Sequence, residues 1–254
     1  MRHYLAMLKK ENLEGLRSYR FLIMLAVFLA FGIMSPLVAK LTPFLLDNLV
    51  PEEMAISLPE PSAIDSWSQF FKNISQMGLI VMVIVFSGIL ANEINRGTLI
   101  NLLTKSLSRV AVILAKYTYM VLAWSASLLL AGLVTWAYTV YLWPDDKMAN
   151  LLFSVFCLWL FGDLLLAVLL FASTLTNGVS GGLLITGSVV VALMIANIFP
   201  AVQKYNPLAL SGLNVGLLVE SVELADLYWP MAVAVIASAT LVWSAVWIFA
   251  KKQL

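Results

Sequence analysis

Apolar residues fall along this chain in long runs separated by short polar stretches, and the spacing within the runs is helical throughout. Residues 1–20 are the exception to the apolar rule. Turning about 100° per residue places Tyr4, Leu5, Leu8, Leu16 and Tyr19 on one face, and Arg2, Lys9, Lys10, Arg17 and Arg20 on another. That pattern predicts a helix lying along the membrane interface, its basic side among anionic headgroups. A first span follows over residues 21–38, close to the minimum for a hydrocarbon core about 30 Å thick. Residues 40–76 hold Pro43, Pro51, Pro59 and Pro61 and five acids, and read as a loop. Phe44, Leu45, Trp67, Phe70 and Phe71 would anchor parts of it at the outer interface. The second span covers about 77–91, with a start as early as Phe70 left open. The third, 110–143, is longer than a bilayer requires and predicts tilt or projection. Pro144-Asp145-Asp146 ends it, and the fourth span runs over 151–173.

A hinge without charge, residues 173–180, leads into a fifth span over 179–199. Gly178, Gly181, Gly182 and Gly187 there permit either a tight turn or close helix approach. The connection 200–229 is too apolar for a solvated loop. Asn206-Pro207 turns the chain, and residues 208–222 predict a short helix dipping into the outer leaflet, its backbone shielded by protein. The sixth span covers 231–250. The expected fold is all-α: one transmembrane domain over residues 1–254, with six spans, an N-terminal interfacial helix and an outer re-entrant element.

One polar, basic island lies between the second and third spans, NEINRGTLINLLTKSLSR over residues 92–109. Glu93 and Arg96 can meet on one helical turn, Gly97 breaks that turn, and Thr98 is a plausible N-cap for a new helix. Leu99, Leu102, Leu103 and Leu107 recur at spacings of three and four, so they share a face. Lys105 and Arg109 close the segment. Such a helix can dock its apolar face on a protein or lie among headgroups. An ordinary solvated loop is the plain alternative.

The run from Glu93 through Arg96, Gly97, Thr98, Leu99, Leu102, Leu103, Thr104, Lys105, Ser108 and Arg109 to Lys116 resembles the permease subunits of ABC-2-type transporters. The stretch from Lys204 to Leu208 resembles that family's lead into its outer element. The resemblance implies that this loop couples the membrane subunit to a separate ATP-hydrolysing subunit. Glu93 and Arg96 would orient the elbow, and Leu99, Leu102 and Leu103 would dock, with Gly97, Thr98, Lys105 and Arg109 in the same coupling segment. It also implies two copies of the ATPase and a second permease chain, identical or related, in a bacterial cytoplasmic membrane. ATP and magnesium would be held by the ATPase, with no cofactor on this chain. Export of an amphipathic cargo (an antimicrobial peptide, a drug or a lipid-like molecule) is the expected activity.

Composition supports a membrane protein and removes other classes. The chain is 62% hydrophobic and 11% charged, against about 25% charged in soluble domains. A net charge of +1 with dispersed basic residues gives no footing for nucleic acid. One cysteine, Cys157, precludes an internal disulfide. His3 is the sole histidine, which takes Ser-His-Asp chemistry and multi-histidine metal sites out of serious consideration. The sequence contains no Walker A motif, so an ATPase must be another chain. The chain itself is not expected to be an enzyme. Counting alternate sides, the termini and the 92–109 side carry eleven Lys and Arg and three acids, and the other side four and ten. Both termini and the coupling loop are therefore expected in the cytoplasm.

Asp163 is the one acid centred in a span, where a charge costs about 2.5–3.5 kcal/mol on insertion scales. Two readings stand. In one, Asp163 pairs with Lys116 to fix packing or gate a pathway. In the other, Lys116 snorkels to the headgroups and Asp163 bonds nearby hydroxyls. An ion-coupled transporter or channel built on Asp163 is the alternative function.

Overall fold

The computed structural model describes residues 2–49, 60–95, 97, 108–146, 148–176 and 178–251. Among these the structure is helical, without strands, and six helices are long and apolar enough to cross a membrane. They are Arg20–Phe44, Ala63–Ile94, Arg109–Leu142, Leu151–Leu175, Val179–Ala196 and Leu224–Lys251, here spans one to six. An N-terminal helix, Arg2–Arg17, precedes them.

The first span does not end where its prolines suggest. Its helix runs on to Leu49 with Pro36 and Pro43 inside it. An interior proline removes a hydrogen bond to the carbonyl four residues back, at a cost of about 3 kcal/mol. For Pro36 that carbonyl belongs to Gly32, and the buried Thr135 hydroxyl of span three donates to it at 3.1 Å. Gly32 itself permits the approach: a Cβ there would sit 2.8 Å from the Ala131 carbonyl oxygen. Spans one and three thus cross at backbone distance.

The loop expected over residues 40–76 is corrected at both ends. Span two starts at Ala63, where the Asp65 carboxylate accepts the Ser62 N–H at 2.9 Å and Asp146 accepts the Ala63 N–H at 3.0 Å. Both bonds satisfy donors that a helix start leaves unpaired. Trp67, Phe70 and Phe71 are buried core rather than interfacial anchors, and Ser66 bonds Thr139 of span three at 2.7 Å. A π turn, Ile74–Gly78, lies within the span.

Span four is the centre of the molecule. Of its most apolar stretch 72% is buried, against 11% for span five, which packs chiefly on span four. Two indoles pin it to span three, with Trp124 Nε1 donating to the Trp159 carbonyl at 3.0 Å and Trp159 Nε1 to Ser125 Oγ at 2.8 Å.

The connection from span five to span six is built of short helices, Pro200–Gln203, Ala209–Gly212 and Asn214–Leu218. Buried asparagines tie it to spans four and five and bond its own backbone. Asn206 Nδ2 donates to the Leu193 carbonyl at 2.8 Å, and Asn214 Nδ2 to the Ser154 and Leu210 carbonyls at 2.9 and 3.1 Å. Irregular backbone at membrane depth requires such partners.

Candidate functional site

The second span loses its regular helix at residues 87–90 and resumes as Ala91–Asn95, so its end turns beneath the N-terminal helix. That helix is held against span three by the Tyr4 hydroxyl, which donates to Thr118 Oγ1 at 2.9 Å, and by Gly15. A Cβ on Gly15 would lie 1.8 Å from the Tyr119 hydroxyl oxygen. The inward stripe of the N-terminal helix is therefore Met7, Glu11 and Gly15, while Leu5, Leu13 and Leu16 are exposed alongside Lys9 and Arg17. Its packed face carries an acid.

Around that acid five charges assemble. Lys116, from span three, is 1% exposed, Glu11 3% and Glu93 5%. Lys116 Nζ lies 3.0 Å from Glu11 Oε1 and 2.8 Å from Glu93 Oε2, and donates to the Ile89 carbonyl at 3.0 Å, at the break in span two. Lys10 Nζ contacts Glu93 Oε1, lies 2.7 Å from Glu14 Oε2 and 3.2 Å from Glu11 Oε1. Each ammonium touches all or most of the carboxylates, the arrangement in which buried charges are tolerated. The Glu11, Glu14 and Glu93 carboxylates come within 4.8 Å of one another, and the two lysines supply the positive charge such a grouping needs. Burial alone would lower the Lys10 pKa, but hydrogen bonds to Glu14 and Glu93 and the field of Glu11 outweigh it and hold it above its ordinary value. Burial would raise that of Glu14, but Lys10, with Lys116 and Arg20 behind it, holds it below.

Of the residues expected in the coupling loop, Glu93, Gly97 and Arg109 are described, whereas Arg96, Thr98, Leu99, Leu102, Leu103 and Lys105 lie outside the described residues. Glu93 faces the lysines of two other helices. Gly97 is left-handed, φ 66°, with its N–H bonded to the Ile94 carbonyl at 3.1 Å. At the far end of the loop, Ser108 caps span three by accepting the Ala111 N–H at 3.1 Å. Arg109 Nη1 donates to the carbonyls of Phe249 and Ala250 at 3.2 and 3.4 Å, near the end of span six. Both ends of the loop are tied to other helices.

The Lys116–Asp163 pair is not formed. Successive residues on a helix point about 100° apart, so Lys116 faces the N-terminal helix and Tyr117 faces span four. Asp163 Oδ1 accepts from the Tyr117 hydroxyl at 2.8 Å. Lys116 does not snorkel either, since its amine is enclosed. Sequence reasoning placed Lys10 in the headgroup layer and passed over Glu11 and Glu14. The signal available was the Lys10–Glu14 spacing of four, beside a span bearing an otherwise costly lysine.

Two cavities also went unread. One, of about 620 Å³, lies between spans two, four and five, walled by Leu79, Val83, Phe161, Leu165, Leu183 and Thr186 among others. The second, of about 700 Å³, lies among the short helices between spans five and six.

Comparison with curated proteins returns no match. The family model described as ABC-2 family transporter protein matches residues 5–228, which take in the first five spans and every charged group of the cluster and stop near the start of span six. The chain belongs to the ABC-2 family of transporter proteins, as a multi-pass permease subunit that associates with an ABC ATPase.

Proposed function

We propose that this subunit works as the transmission and half the conduit of an exporter, paired with a second permease chain and two ATPase subunits in a bacterial cytoplasmic membrane. Its termini and the 92–109 loop face the cytoplasm, as the Lys and Arg bias supports. The observation that carries the reading is the position of Glu93. It stands at the root of the coupling loop and engages Lys10 of the N-terminal helix and Lys116 of span three. A push on the loop therefore reaches three helices at once, and Arg109 passes it to span six. Span two carries the same displacement upward, to where Ser75 Oγ donates to the Ser211 carbonyl at 3.2 Å on the wall of the apolar cavity. Leu99, Leu102 and Leu103 supply the apolar face that docks on the ATPase. An amphipathic cargo suits a cavity bounded mainly by aliphatic side chains.

The test is purification in gentle detergent from the native membrane, with Leu102→Asp beside the parent chain. The expected result is an ATPase subunit that accompanies the parent stoichiometrically and is lost from the variant, which still inserts. Retention of the ATPase by Leu102→Asp defeats the docking assignment. Absence of any ATPase from the folded parent defeats the coupling reading and turns attention to Asp163 and ion coupling.

A further inference from the structure

We infer that the two cavities form one binding site for a single-tailed amphiphile with a zwitterionic head. The inference deepens the permease reading and rests on it for the occupant's being cargo.

The cavities adjoin, since Leu208 lines both and Ser211 of the apolar chamber is followed in the chain by Gly212 and Leu213 of the chamber among the short helices. They differ sharply in chemistry. Among the described residues the first is walled by aliphatic and aromatic groups with Ser75, Gln76, Thr186 and Ser211, and by no charged side chain. Its volume, about 620 Å³, falls in the range of about 300–1,000 Å³ that holds one drug-sized ligand. Among the described residues the second includes one cation, Lys204, and one acid, Asp226, both exposed, together with Asn197 and Gln203. Glu220 and Glu223, on the same connection, are not part of its wall. A charge placed in the first chamber would be desolvated without a partner, which excludes a peptide studded with cations. In the second, a head of either net charge meets a like charge as well as an opposite one, whereas a zwitterion can satisfy both. Repulsion of the wrong charge is an economical source of specificity. One tail in the first chamber and one head in the second fit the pair of volumes and the pair of charges.

The experiment is photolabelling of the full-length chain in nanodiscs with three probes carrying the same diazirine alkyl tail. Their heads are phosphocholine, phosphoglycerol and trimethylammonium. The phosphocholine probe is expected to label peptides of spans two and five about tenfold more than the others, a difference of about 1.4 kcal/mol. Lys204→Glu should shift the preference to the cationic probe, and Asp226→Lys to the anionic one. Gly187→Trp should suppress labelling by all three, because a Cβ at Gly187 meets nothing within 4 Å and its side chain would enter the apolar chamber. Equal labelling by the three heads overturns the inference, as does labelling indifferent to the Lys204 and Asp226 exchanges. Equal labelling by a two-tailed phosphocholine probe assigns the chamber to bilayer lipid and overturns the single-tailed occupant. Labelling needs no ATPase, so its failure leaves the coupling loop untouched, and loss of ATPase co-purification leaves the labelling result standing.

Discussion

Two sites in this molecule keep ionisable groups away from water, and they do so by opposite means. At the root of the coupling loop, three carboxylates and two ammoniums from three helices compensate one another. In the middle of span four, Asp163 has a phenol for a partner, and Tyr117 belongs to the neighbouring helix. Removing Lys116 from the first site strands Glu11 and Glu93 in a closed space, whereas Lys10 and Glu14 at its rim keep contact with solvent. Removing the charge of the second leaves a hydrogen bond that a neutral acceptor can still make. The first is a joint between helices whose strength depends on completeness. The second is a local clasp between spans three and four. Lys116 and Tyr117, consecutive in sequence, serve one each.

The sharpest way to break the contrast is Lys116→Met. It leaves Glu11 and Glu93 facing each other with one ammonium fewer, and loss of one partner from a buried ion pair costs about 3–5 kcal/mol. We expect a correspondingly large loss of thermal stability in detergent, with part of it recovered when Glu11→Gln is added. Full additivity of the two changes would show that the groups do not act together. Next in size is Gly15→Leu. The N-terminal helix must move off Tyr119 to admit a side chain, and overpacking of this kind costs about 1–3 kcal/mol. Because that movement draws Lys10 from Glu93 and Glu11 from Lys116, ATPase coupling should fall further than stability does, measured as transport per ATP hydrolysed. Asp163→Asn should cost about 1 kcal/mol or less, since Asn can still accept from Tyr117. A loss equal to that of Lys116→Met would erase the distinction between the two sites.

The smallest effect expected is on pH. Glu14 has a depressed pKa, so its contribution is complete above the ordinary value of 4.5 and is lost as pH falls through the lower value it holds in the fold. Lys10 has a raised pKa, so its contribution is complete below the ordinary 10.5 and is lost as pH rises through its higher folded value. Stability in detergent should therefore be flat from about pH 5 to 10 as far as these two groups decide it. Glu14→Gln should leave that plateau while removing part of the acid-side fall.

Spans three to six were legible because each is an apolar run with little internal polarity, and their observed ends lie within three residues of the expected ones except that span six starts at Leu224, seven residues early. Span two was legible only in its second half. Its first half carries Ser66, Ser68, Gln69, Lys72 and Asn73 between the aromatics, which reads as an interfacial loop until Ser66 meets Thr139 and Asn73 meets Ser35 at 3.2 Å. Span one was cut short for a related reason: the partner that makes Pro36 tolerable lies about a hundred residues away at Thr135. The site divided in the same way. The loop motif pointed to Glu93, but its partners sit 83 residues before it and 23 after it, and spacing along a chain does not say which way a lysine in a span will face.

The π turn at Ile74–Gly78 has a consequence for how this chain can change in length. A π turn holds one residue more than the α turn it replaces, so span two stores a surplus residue where the apolar cavity begins. Deleting one residue within 75–77 would absorb that surplus into an unbroken α-helix, with both halves facing their present neighbours. Deleting one residue within 79–86 would instead swing Glu93 by about 100° and draw it back by about 1.5 Å, out of reach of both lysines. Along the whole of span two, tolerance of a lost residue is confined to a single turn.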